Sequence, residues 1–178
     1  MDEIVTMYDG LEEYDSDGRA KSCFFTGHRT LPENIEVIFV TLKKHISYLY
    51  SMGVRDFHAG GALGFDTLAA TTVIDLKRFH PGMRLILNLP YHNQTVGWKD
   101  INVTRYEYIK NNADEIIYTF DGEATGRNEA KKYLLKRNCD MVDCSKYGIA
   151  YFSGNGKSGT GYTLNYAKKK DCEVINIY

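Results

Sequence analysis

Ser22-Cys23-Phe24-Phe25-Thr26-Gly27-His28-Arg29 is a short, mostly apolar run that closes on a glycine set among polar donors. A run of that length bounded by a turn signal reads as a buried strand, here residues 22–26. The next thirty residues fix how the strand is used. Over residues 32–52, Ile35, Ile38, Phe39, Leu42, Ile46 and Leu49 fall at three-and-four spacing, which predicts a helix with one apolar face. Pro32 near its start and Gly53 just past its end mark the limits. A second strand, residues 55–59, then runs into Gly60-Gly61.

The same order continues outward. A helix is expected over about 65–79, a strand over 84–89, a helix over 102–112 and a strand over 115–118. A helix over 129–141, a strand over 147–152, a helix over 162–169 and a last strand over 172–177 complete the chain. Six short strands, apolar rather than alternating, indicate a mainly parallel sheet covered on both faces. The predicted fold is therefore α/β, a single Rossmann-like domain. In such sheets ligands sit outside the carboxyl ends of the strands, near the point where the strand order reverses.

Length and composition agree. The 178 residues suit one domain, and 43% hydrophobic with 25% charged residues is ordinary for a globular protein. No long apolar run or signal-peptide pattern occurs, so the expected compartment is the cytoplasm and no membrane partner is expected. Cys23, Cys139, Cys144 and Cys172 form no CxxC pair and read as free thiols, and the five histidines show no metal-ligand spacing. No cofactor or metal is implied. Residues 1–18 carry seven acids and no Lys or Arg, whereas the remainder holds all 22 Lys and Arg against 16 acids. An acidic, solvated arm over 1–20 is thus expected before a basic domain over 21–178. A basic body suits an anionic ligand, but without a basic-aromatic stripe nucleic acid is not the expected partner.

Three strand ends carry unusual residues. Thr26-Gly27-His28-Arg29 offers donors to an anion, or is a turn with a solvated arginine. Gly60-Gly61-Ala62-Leu63-Gly64-Phe65-Asp66 opens a helix with small residues that let backbone N–H groups approach a ligand. It is neither the GxGxxG fingerprint nor a P-loop. Asp66 either caps the helix or meets a ligand hydroxyl, or does both. Residues 153–163 hold four glycines with Lys157, Ser158, Thr160 and Thr163, an anion nest leading into a helix. Gln94 and Trp98 lie in a further connecting stretch, where Trp98 is core or stacks on a ring. Arg137-Asn138 falls near a predicted helix end, where an arginine also favours the C-terminal dipole.

Taken in order, TGHR, GGALGFD, Gln94 with Trp98, Arg137-Asn138 followed by Met141-Val142-Asp143 and Ser145, and SGT-x-x-T followed by Tyr166-Ala167 resemble the YpsA-type branch of the SLOG superfamily. That superfamily groups Rossmann-like proteins related to the DNA-uptake protein DprA and to the LOG phosphoribohydrolases. The similarity covers about residues 21–178. It implies glycine loops that bind nucleotides or nucleotide-derived signals, through Gly27, His28, Arg29, Gly60, Gly61, Ala62, Gly64, Asp66, Ser158, Gly159, Thr160 and Thr163. One departure bears on catalysis: LOG enzymes carry PGGxGTxxE, and Thr163 stands where its catalytic glutamate would be. A threonine cannot give carboxylate help to a departing base. The expectation is a sensor or regulatory module for a nucleotide-derived small molecule. The alternative is an enzyme cleaving an N-glycosidic bond with Asp66 as acid/base, and self-association into a homo-oligomer stays open.

Overall fold

A computed structural model describes residues 18–154 and 157–178. Residues 1–17 of the expected acidic arm, and Asn155 and Gly156 of the third loop, lie outside the described residues. The elements are β1 (Ser22–Gly27), α1 (Glu36–Ser51), β2 (Asp56–Ala59), α2 (Phe65–Lys77), β3 (Arg84–Leu89), α3 (Asp100–Asn112), β4 (Glu115–Tyr118), α4 (Arg127–Asp143), β5 (Tyr147–Tyr151), α5 (Gly159–Lys169) and β6 (Glu173–Asn176).

All six strands pair in parallel, in the order β4-β3-β2-β1-β5-β6. The chain winds outward from β1 to β4, then crosses back to set β5 on the other side of β1. The order therefore reverses between β1 and β5, where Phe25 faces Ile149 and Thr26 faces Ala150 across the ladder. Alternation along β1 serves both faces of the sheet. Cys23 and Phe25 join Leu42, Ile46, Phe57, Val73 and Ile109 under α1, α2 and α3. Phe24 joins Met141, Val142 and Ala167 under α4 and α5. A side chain buried as fully as Phe24 or Phe25 contributes about 1.5–3 kcal/mol.

Two helix starts differ from the sequence expectation by more than two residues. α1 begins at Glu36, not Pro32, because the Asn34 side chain accepts from the Glu36 N–H at 3.2 Å. α5 begins at Gly159 rather than at residue 162. The Ser158 hydroxyl accepts from the Gly161 N–H at 3.1 Å and caps a first turn whose glycines read as loop. At the other end of the domain, Arg19 belongs to a short 3₁₀ turn, Arg19–Lys21. Its Nη2 donates to the Ser145 and Lys170 carbonyls at 3.2 and 3.1 Å, so the last positions assigned to the arm are tied to the body. Among the described residues no helix is long and apolar enough to cross a membrane.

Candidate functional site

The carboxyl ends of β1 and β5 open onto a cleft of about 320 Å³. Four segments wall it: the end of β1 with Gly27, His28 and Arg29, the start of α2 with Ala62 and Asp66, one face of α4, and Ser158-Gly159-Thr160. The switch in strand order thus holds ten of the residues expected there, adding Arg137 and Asn138 from α4.

The glycines are small for reasons inside the protein. A Cβ on Gly27 would stand 2.6 Å from Phe65, and one on Gly60 would overlap the Arg137 guanidinium. Gly61, at φ 67°, would carry its Cβ 2.7 Å from Leu89. A Cβ on Gly64, at φ 77°, would collide with the Arg29 carbonyl. Both positive angles belong to the region that disfavours side chains. Gly159 alone of these faces open space, with nothing within 4 Å of a built Cβ. Packing therefore accounts for the missing side chains of the first two loops, whereas at Gly159 no packed atom among the described residues requires one to be missing.

Beneath the cleft runs a chain of buried polar groups. Arg137 is 4% exposed; its Nη1 donates to the carbonyls of Gly60 and, at 3.3 Å, Asn88, and its Nε to Asn138 Oδ1 at 2.8 Å. Its Nη2 has no hydrogen-bond partner among the described residues and remains available to the cleft. It lies well inside α4, so its role is not that of a helix C-terminal cation. Asn138 Nδ2 donates to Thr163 Oγ1 at 2.9 Å, and that hydroxyl donates to the Gly159 carbonyl at 2.8 Å. Thr163 is fully buried and holds α5 to α4.

Asp66, 6% exposed, turns its carboxylate back onto its own loop and accepts from the Ala62 N–H at 3.3 Å. Burial raises its pKa; the Arg137 charge opposes that most, with the Ala62 N–H, Arg29 and the Gly60 N–H acting in the same sense. Burial likewise lowers the pKa of Arg137, against the pull of Asp66, though a guanidinium stays charged. The carboxylate thus uses donors expected for a ligand phosphate. Free donors lie at the rim instead.

That rim comprises Arg29, Lys131 and the start of α5. Neither cation has a side-chain partner among the described residues. The N–H groups of Gly159 and Thr160 are in the first turn, where the helix supplies no acceptor. His28 acts differently from the anion donor expected of it. Its Nε2 accepts from the Ser153 N–H at 2.9 Å, which puts the ring proton on Nδ1 and joins the β1 turn to the β5 loop.

Gly60, Gly61, Gln94 and Thr163 lie behind the cleft rather than in its wall, and Gly64 lines a separate hollow between α2 and α3. Gln94 Nε2 donates to the Gly61 carbonyl at 2.9 Å and so steadies the loop. Trp98 packs edge-on against Tyr106, with centroids 5.7 Å apart, and belongs with the core. Lys131, Leu134 and Leu135 also line the cleft, although no motif in the sequence marks them. Their spacing of three, four and seven to Asn138 on one helix face is the signal that carries them.

The sequence profile of the YspA SLOG family matches residues 23–176. The SPbeta prophage-derived protein YoqJ of Bacillus subtilis is 39% identical over 120 residues, 64% of this chain and 69% of that protein. A UPF0398 protein of Bacillus thuringiensis is 24% identical over 144 residues, covering 81% of this chain and 76% of the relative. Among solved structures, DNA processing protein A from Helicobacter pylori superposes with a TM-score of 0.62 at 18% identity. That match spans 88% of this chain but 64% of the Helicobacter protein, whose structure is described as having a unique single-stranded DNA binding mode. DprA from Streptococcus pneumoniae gives 0.58 at 17% identity, over 86% of this chain and 48% of that one. These two likenesses establish the fold. They lend no support to the expectation that nucleic acid is an unlikely partner.

Proposed function

Because the chain belongs to the YspA SLOG family, we propose that it binds a nucleotide or nucleotide-derived phosphate ligand in the cleft between β1 and β5, as a sensing or regulatory module of the cytoplasm. One observation carries the reading: a buried Arg137 and a buried Asp66 line the floor of a cleft whose rim brings together Arg29, Lys131 and the unbonded amides of α5. Phosphate suits the rim, where cations and helix-end N–H groups converge. The floor suits a neutral polar group such as a ribose hydroxyl, which donates to a carboxylate and accepts from a guanidinium. A fully anionic group there would meet the Asp66 charge.

Calorimetric titration with the four nucleoside 5′-monophosphates and their nucleosides tests this. Tighter binding of at least one monophosphate than of its nucleoside is expected; no binding of any of the eight removes the reading.

Asp66 also supports the enzyme alternative, since a cleft carboxyl whose pKa is raised is suited to proton transfer. Release of free base from a bound monophosphate, lost in Asp66→Asn, would move the protein to that class. Thr163, bonded to Asn138 and Gly159, takes no part in such a step.

A further inference from the structure

The cleft offers a nucleobase no free ring to stack on: Phe25 is fully buried, and the partly exposed His28 is bonded to Ser153 and packed among Tyr151, Phe152 and Tyr178. The groove beside it does. This hollow, of about 630 Å³, opens on the other side of the first turn of α5 and shares Lys131, Leu135, Ser158 and Gly159 with the cleft. Its wall carries Tyr162, which is 48% exposed and whose hydroxyl has Cys139 Sγ, at 4.0 Å, as its one hydrogen-bond partner among the described residues. Lys157 lines it as well and, like Lys131, has no ion-pair partner among the described residues.

The cleft alone falls at the small end of ligand sites, which run to roughly 300–1,000 Å³. The groove is the larger hollow, and the boundary between them is where negative charge is best received. Gly159 presents open space there, and Lys131 stands on both sides. The nine-tenths-buried Arg137, its Nη2 unpartnered, supplies fixed positive charge from below. An aromatic ring on one side, a polar floor on the other and cationic donors between them match the order base, phosphate, sugar.

We propose, resting on the nucleotide-binding reading above, that the ligand has two nucleotide units joined through phosphate. One unit occupies the cleft over Asp66 and Arg137. The second stacks its base on Tyr162, and the linking phosphate lies at Gly159. A free dinucleotide and the end of a single strand share this chemistry.

The test is calorimetric titration of the full chain with the four monophosphates, the four homodinucleotides pNpN and the matching 12-mers. For at least one base the dinucleotide should bind 10-fold or more tighter than the monophosphate. In Tyr162→Ala that ratio should collapse by roughly 5- to 150-fold, the range for losing one base–aromatic stack. Tyr162→Phe should retain it. Equal affinities of mono- and dinucleotide, or a ratio indifferent to Tyr162→Ala, overturn the inference and leave the cleft reading standing. No binding of any monophosphate or dinucleotide overturns both. A 12-mer that binds like the dinucleotide points to a free dinucleotide. Further tightening with length, lost as salt rises, points to a strand end.

Discussion

Arg137 occupies the space a side chain on Gly60 would need, and donates to that same residue's carbonyl. The glycine is thus part of how a buried cation is seated. Gly60→Ala should displace the guanidinium and cost about 1–3 kcal/mol, the usual range for overpacking. Urea denaturation reads the loss, and an unchanged midpoint would show that Arg137 yields without strain.

Gly61 and Gly159 separate two uses of glycine. Gly61→Val meets Leu89 and Tyr106 at a positive φ, so it should lower the thermal midpoint and is no clean probe of binding. Gly159→Val faces open space and should change stability by no more than about 0.5 kcal/mol. It should nonetheless weaken monophosphate binding at least 10-fold by covering the amide at the rim. Full affinity in a folded Gly159→Val protein would move the phosphate elsewhere.

Arg29 is exposed and has no side-chain partner among the described residues, so its removal leaves no buried group stranded. Arg29→Ala should weaken monophosphates by roughly 10- to 150-fold, the worth of a charge-assisted hydrogen bond, with little effect on nucleosides. Raising the salt should shrink the difference. Equal losses for both ligand types would make Arg29 a structural residue.

Asp66 makes a pH prediction whose sign comes from its raised pKa. The folded state holds this proton more tightly than the unfolded chain does. The stabilisation is therefore complete below the ordinary carboxylate pKa of 3.8 and is lost as pH rises through the higher folded value. Asp114, whose pKa is lowered, titrates in the opposite sense, so the comparison must be differential. Unfolding free energies of the wild type minus those of Asp66→Asn should fall as pH increases over that window. A flat difference would mean that Asp66 titrates as an unperturbed acid.

Thr163→Val keeps the shape but removes the hydroxyl that accepts from Asn138 and donates to Gly159. The stranded Asn138 amide should cost about 1–3 kcal/mol, measurable as a shift in the urea midpoint. Thr163→Ser should recover most of it.

Much of this was legible in the sequence. The strands are short, largely apolar runs, so their succession along the chain and the parallel sheet come from pattern alone; β1 and β2 lead straight into glycine, and the loops they feed are where the cleft lies. The purpose of the glycines was not legible. The group that requires Gly60 to be small is 77 residues away, a pairing that only the folded chain makes. Gly159 and Gly161 read as loop because glycine disfavours helix, yet the Ser158 cap outweighs that preference in the first turn. Trp98 is a ring that pattern cannot assign, and its packing on Tyr106 places it in the core.

The contact between His28 and Ser153 spans 125 positions of sequence. Every wall of the cleft on the β5 side is translated long after β1, so a chain still emerging from the ribosome has the Arg29 turn without its opposite bank. The cleft is completed only by the most distant strand pairing in the sheet, the kind of non-local closure that slows folding. Recovery of nucleotide affinity during refolding would therefore mark the arrival of β5 beside β1, and would lag signals from the locally connected β1–β2 half of the sheet.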